Sequence, residues 1–147
     1  MTYLEQPSPE LWTERQSWFE RELLDREQEG SFLVSEQGCA LIGEVQMSYC
    51  AGAWVSVIVL AFTVIDAQIR ETEDPGFTGN SKCLLDTLGF DERFQELRKH
   101  RNRIIHINPD APAITVDQQW DDRDELEKEA REAVELMLEA FFSNPGV

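Results

Sequence analysis

The sequence predicts an all-α, antiparallel helical bundle of four to five helices with one long central apolar helix. Three observations predict it. Apolar residues recur at spacings of three and four in several separate stretches. Serine-proline, glycine and asparagine-proline signals bracket those stretches as helix starts and stops. A charge-free run occupies residues 45 to 65, where a bundle needs its most buried member. A chain of 147 residues is long enough for one domain with a real core, and it is read as a single domain over 1–147.

The elements follow in order. Ser8-Pro9 opens the first helix, with serine as N-cap and proline at the first helical position. Leu11, Trp12, Trp18, Phe19 and Leu23 recur along it to about residue 28, and Gly30 ends it. Ser35 caps a second helix reaching about residue 71. The turn residues Asp74-Pro75-Gly76 and Gly79 then mark a loop. A short third helix spans about 81 to 88 and stops at Gly89. The fourth runs from about 91 to 107 and ends at Asn108-Pro109. Residues 109 to 116 read as loop or extended chain. The fifth helix starts near Asp121-Asp122 and carries Leu126, Ala130, Val134, Met137, Leu138 and Phe141 on one face.

The second helix invites two readings. Its charge-free run of 21 residues is long enough to span a bilayer. Yet Glu44 and Asp66 flank it, no basic cluster orients it, and it contains Gln46, Ser48, Ser56 and Thr63. The buried centre of a bundle is the better reading, with no membrane partner. Ser48, Gly52 and Ser56 recur every four residues, and the expectation is a small-residue stripe where a second helix approaches closely.

Composition narrows the function. Hydrophobic residues at 41% are too many for disorder. Cys39, Cys50 and Cys83 are odd in number and lack C-x-x-C spacing, so they read as reduced, buried thiols of a cytoplasmic protein. The opening Met1-Thr2-Tyr3-Leu4-Glu5-Gln6-Pro7 has no basic end and no apolar stretch, and predicts no secretory signal. The formal net charge of −16 opposes a broad nucleic-acid surface. The charge is uneven, however: residues 93 to 103 hold Arg93, Arg98, Lys99, Arg101 and Arg103 against Glu96 alone. On counts, such a helix pairs with acidic neighbours; as a site, it is a basic island for phosphate. No dinucleotide or Walker pattern, zinc-protease motif, nucleophile elbow or calcium loop is present, so no cofactor or metal is expected.

Within the island stands Arg101-Asn102-Arg103-Ile104-Ile105-His106. Arginine is always charged and clamps phosphate, while histidine exchanges a proton near neutral pH. The two lie about 7.5 Å apart along a helix axis, so one site needs long side chains or a partner helix to unite them. Arg101 falls on the apolar stripe of its own helix with Phe90, Phe94, Leu97 and Ile104-Ile105. There it either bonds a carboxylate and holds the bundle, or faces a cleft and binds phosphate. His106 either caps its helix end or acts as acid and base. Asn102 and His106, four apart, share a face. His100 has no ligand partner and reads as exposed.

Leu97-Arg98-x-x-Arg101-Asn102-x-x-x-His106 resembles the motif of the HEPN domain superfamily, over roughly residues 36 to 143. The resemblance implies a single HEPN-like helical domain. It implies a metal-independent endoribonuclease of toxin or defence type, acting as a homodimer on single-stranded RNA and leaving 2′,3′-cyclic phosphate ends. Arg101, Asn102 and His106 would be catalytic, and Arg98, Lys99 and Arg103 would hold the RNA backbone. A nucleotidyltransferase-like antitoxin or another regulatory protein is the implied partner. Some families also use an acidic residue near the place of Asp66, although Asp66 reads more simply as a charge marking a helix's exit to water. Other HEPN domains are non-catalytic, so the alternative is an assembly or protein-binding module whose acidic surface faces a basic protein.

Overall fold

Ser8 accepts the amide hydrogen of Leu11 at 3.1 Å, and with Pro9 at the first helical position it starts α1, Pro9–Glu27. The computed structural model describes residues 4–146; Met1, Thr2 and Tyr3, part of the segment read for a signal, and Val147 lie outside them. Six more helices follow: α2 Glu36–Ala51, α3 Trp54–Thr72, α4 Ser81–Leu88, α5 Glu92–Ile105, α6 Val116–Trp120 and α7 Arg123–Phe141. The all-α bundle is as predicted.

The five longer helices alternate in direction along the chain. Gln68 near the end of α3 bonds Ser35 at the start of α2, so those two are antiparallel. Arg93 at the start of α5 meets Glu139 near the end of α7, so that pair is antiparallel too. Alternation brings α3 and α7 side by side in the same direction. Arg123 at the start of α7 reaches the carbonyl of Gly52, and Asn144 beyond its end bonds the Thr72 carbonyl at 3.0 Å.

The single long apolar helix is a correction: it is two helices. Gly52 ends α2 in the left-handed conformation at φ 76°, where a side chain is strained. The amide hydrogens of Gly52 and Ala53 return to the Tyr49 and Ser48 carbonyls, closing the helix end. Two arginines cover what remains. Arg15 donates to the Cys50 carbonyl at 3.2 Å and Arg123 to that of Gly52, cations placed at the negative end of the α2 dipole. The expected stripe of Ser48, Gly52 and Ser56 therefore does not exist, because these residues fall on two helices and the turn between them.

The charge-free run nevertheless supplies much of the core, chiefly through its α3 part, while Met47, Ala51 and Ser56 are exposed. Val57, Ile58, Ala61, Phe62, Val64 and Ile65 of α3 are fully buried, and α3 packs most extensively on α7 and α2. Among the described residues no helix is long and apolar enough to cross a membrane. Gln68, 0% exposed, fixes the seam opposite the Gly52 break. It accepts from the Ser35 amide at 2.8 Å and donates to the Leu33 carbonyl at 2.8 Å, so its burial leaves no polar group unpaired. Two further readings are corrected. Thr115 and Gln118 form a reciprocal capping box that starts the short helix α6 between the predicted loop and the predicted last helix. Of the three thiols only Cys50 is buried; Cys39 and Cys83 are exposed.

Candidate functional site

α5 begins at Asp91, whose carboxylate caps the Arg93 amide at 3.0 Å, and it leans on α3 through Phe94 and Leu97. Along it the basic island divides into two groups. Arg93 and Lys99 are neutralised. Arg93 bridges Asp91 at 2.7 Å and Glu139 at 3.1 Å, and Lys99 lies 3.2 Å from Glu96 and 3.7 Å from Glu92. His100, expected to be exposed, is half-buried with its Nδ1 3.7 Å from Glu129 of α7.

Arg98 and Arg101 behave differently. They are three residues apart and so neighbours on one helix face, and among the described residues neither has a carboxylate in ion-pair range. Arg98 donates to the neutral Gln95 side chain at 2.8 Å. Gln95 is itself held by the Lys82 carbonyl and Asp86. The guanidinium of Arg101 lies 4.7 Å over the ring of Phe62, and its Nε is buried with no hydrogen-bond partner among the described residues. Burial pushes the Arg101 pKa down; the Asp66 carboxylate opposes this, and the Arg98 charge adds to it. Cation–π attraction of roughly 0.5–2 kcal/mol supports a guanidinium in such a place, but no counter-ion discharges it.

Asn102, next to Arg101 and four residues from Arg98, is half-buried, and its side chain makes no hydrogen bond among the described residues. Arg98, Arg101 and Asn102 therefore form one triangle on the helix surface. His106 stands just past the end of α5 with extended backbone, φ −106° and ψ 104°. Its amide hydrogen still bonds the Asn102 carbonyl at 2.9 Å, and its side chain is exposed. Helical spacing therefore stops predicting its direction one residue before it. Ile107, beside it, is 90% exposed. The six named residues are thus not brought to one place: Arg98, Arg101 and Asn102 cluster, Lys99 and Arg103 point elsewhere, and His106 sits at the helix end.

Phe62 is a contributor that the sequence does not single out, and Asp66 is one whose favoured reading the structure overturns. Phe62 was counted only as core. Asp66 does not mark an exit to water: it is half-buried in a helix that continues to Thr72, and it accepts from Arg70 at 3.0 Å and Ser81 at 2.8 Å. The available signal was their spacing, since four residues on α3 place a ring and a carboxylate on one face.

Two clefts are lined by other residues of α5 and of the chain just beyond it. One of about 630 Å³ runs between α5 and α7, lined by Glu96, His100, Arg103, Glu129, Glu132 and Glu135 among others. A smaller apolar one of about 280 Å³ is bounded by Val55, Ile104, Ile107 and Ile114. Neither is lined by Arg101, Asn102 or His106. No His, Cys, Asp or Glu group among the described residues has the arrangement of a metal site. No family model, curated protein or solved structure matches the chain.

Proposed function

We propose that the chain is a HEPN-like, metal-independent endoribonuclease that acts as a homodimer. One observation carries this reading: Arg98 and Arg101 stand together without a carboxylate on a chain of net charge −16. With 29 acidic residues available, an unpaired, half-desolvated arginine pair is costly to keep, and an anion such as phosphate would discharge it. In the proposed reaction the ribose 2′-hydroxyl attacks its own 3′-phosphate and the bond to the 5′-oxygen breaks. The products are a 2′,3′-cyclic phosphate and a 5′-hydroxyl. His106 exchanges the proton. Arg101 stabilises charge building on the phosphate, Asn102 orients it, and Arg98 holds the backbone. The exposed Arg103 adds attraction at longer range, and Lys99 could do so only by leaving Glu92 and Glu96. A toxin or defence role, with a nucleotidyltransferase-like protein as regulator, remains part of the proposal.

The test is single-stranded RNA in EDTA with purified protein. The expected result is cleavage to cyclic phosphate ends, reduced roughly 10²–10⁴-fold by His106→Ala and comparably by Arg101→Ala. Arg98→Ala should mainly weaken binding and its salt dependence. Unchanged cleavage by the His106→Ala protein would assign the activity to a contaminant.

A specific observation favours a second reading, the non-catalytic assembly or protein-binding module. Arg93 and Lys99 are spent on carboxylates of the chain itself, on a chain of net charge −16. In that case no RNA is cut, and Arg101→Ala only lowers the melting temperature.

A further inference from the structure

The groove between α5 and α7 has a construction that the ribonuclease reading does not use. Both helices pack on α3, but they touch one another only lightly. The space left between them is where a further bundle helix would lie. Its floor is apolar, made by Leu97, Ala133 and Leu136. Its walls carry Glu92, Glu96, Glu129, Glu132 and Glu135; Glu92 and Glu96 face Lys99 and Glu129 faces His100, which leaves Glu132 and Glu135 without an ion-pair partner among the described residues. Two arginines also line it: Arg93 is already bound to Asp91 and Glu139, and Arg103 is a single positive charge against the five glutamates. A second cleft of about 300 Å³ continues it past the His100–Glu129 contact, adding Asp122 and Glu125. From Asp122 to Leu136 the floor of α7 is about 21 Å long, enough for roughly four helical turns.

We infer that this groove is the docking site for a cationic amphipathic helix of a different protein. Each feature selects that occupant. An apolar floor between two helices suits the apolar face of a third. The glutamate walls suit lysines and arginines along its edges, and they repel nucleic acid and anionic lipid. The carboxylates are spread along the groove and not converged, and no metal-binding group is found among the described residues. A single cation is therefore a poorer fit than a row of them. A second copy of this chain brings a net charge of −16 and is disfavoured. Crowding is visible at Glu135, whose carboxyl is pushed above the ordinary value by partial burial and then by Glu22 and Glu132. The inference stands apart from the proposed RNA site: Arg101 lies roughly 140° round α5 from Glu96.

The test is fluorescence anisotropy at physiological ionic strength, where the screening length is about 8 Å. The probe is a synthetic peptide of about 14 residues with leucines at i, i+3, i+4 and i+7 and lysines elsewhere. A scrambled peptide of the same composition is the control. The intact protein should bind the amphipathic peptide and shift the backbone amide resonances of α5 and α7. Glu125→Gln/Glu132→Gln/Glu135→Gln together should weaken binding by roughly tenfold or more. Glu10→Gln/Glu14→Gln/Glu27→Gln on α1, an equal change of charge, should leave it within about twofold. Circular dichroism establishes that both proteins are folded. Equal losses in the two triple variants, equal binding of the scrambled peptide, or no binding would each overturn the inference. None of these outcomes bears on RNA cleavage, which is read separately.

Discussion

Arg101 holds its charge against the face of Phe62, not against a carboxylate, and among the described residues Arg15 Nε and the Tyr49 hydroxyl are also buried without a hydrogen bond. The hydroxyl of Tyr49 is fully enclosed beside the Arg131 side chain, and it makes no hydrogen bond of ordinary geometry among the described residues. Its ring stacks on Trp18 at 4.8 Å and meets Trp54 at 5.4 Å. Burial pushes its pKa up to about 12, although the Arg131 charge opposes the rise. An unpaired buried hydroxyl costs about 1–3 kcal/mol relative to a paired one. Tyr49→Phe should therefore leave the melting temperature unchanged or raise it, and a clear fall in thermal denaturation would show that the hydroxyl is paired. Glu135 gives a pH-dependent forecast. Its folded-state pKa is raised, so the protonated form favours the folded chain. That contribution is fully present below the ordinary glutamate value and is lost as pH rises through the folded value. Glu135→Gln should melt higher than the parent at neutral pH, with the difference shrinking as pH falls into the ordinary glutamate range. A difference that is constant across that range would contradict the assignment.

At the scale of elements, the α2–α3 break controls where the site helix can lie. An unbroken helix over 36 to 72 would run straight on, away from the bundle. The turn at Gly52 folds α3 back along α2 and puts Phe62 and Asp66 under α5. A Cβ at residue 52 would meet Nη1 of Arg15 at 3.0 Å, besides the strain of positive φ. Gly52→Ala should cost about 1–2 kcal/mol for the left-handed conformation. Urea denaturation should show a lower midpoint with unchanged slope. If stability is unaffected, the turn does not hold the geometry described. Arg15 and Arg123 contribute to the same turn from α1 and α7, so three segments distant in the chain converge on one helix end.

For the whole molecule, the proposed catalysis requires two copies. Ile107 at 90% exposure and Ile105 at 45% flank His106, and apolar surface beside the site is what an interface would cover. Light scattering at micromolar concentration should return about twice the 16.9 kDa chain mass. A clean monomer would remove the composite site and leave the protein-binding reading. The −16 charge works against self-association at low salt, so the dimer should strengthen as ionic strength rises.

Much of this was legible in the chain itself. Ser8-Pro9, Ser35, Gly89 and Asp91 act through residues one to four positions away, so their helix boundaries can be read locally. The burial of the α3 part of the run from 45 to 65 follows from its hydropathy, although Met47, Ala51 and Ser56 are exposed, and the basic island follows from its charges. What the sequence could not decide depends on approach between distant segments. Glycine favours a helix end but also occurs inside helices, so residue 52 alone did not decide between them, and guanidinium groups arriving from residues 15 and 123 cover the end that forms. Periodicity placed Arg101 on an apolar stripe, but only the packing of α5 on α3 set it over Phe62, and not against a carboxylate. His106 followed helical spacing on paper, yet the helix ends one residue earlier, and past a helix end side-chain direction is set by tertiary contacts and not by a 3.6-residue period.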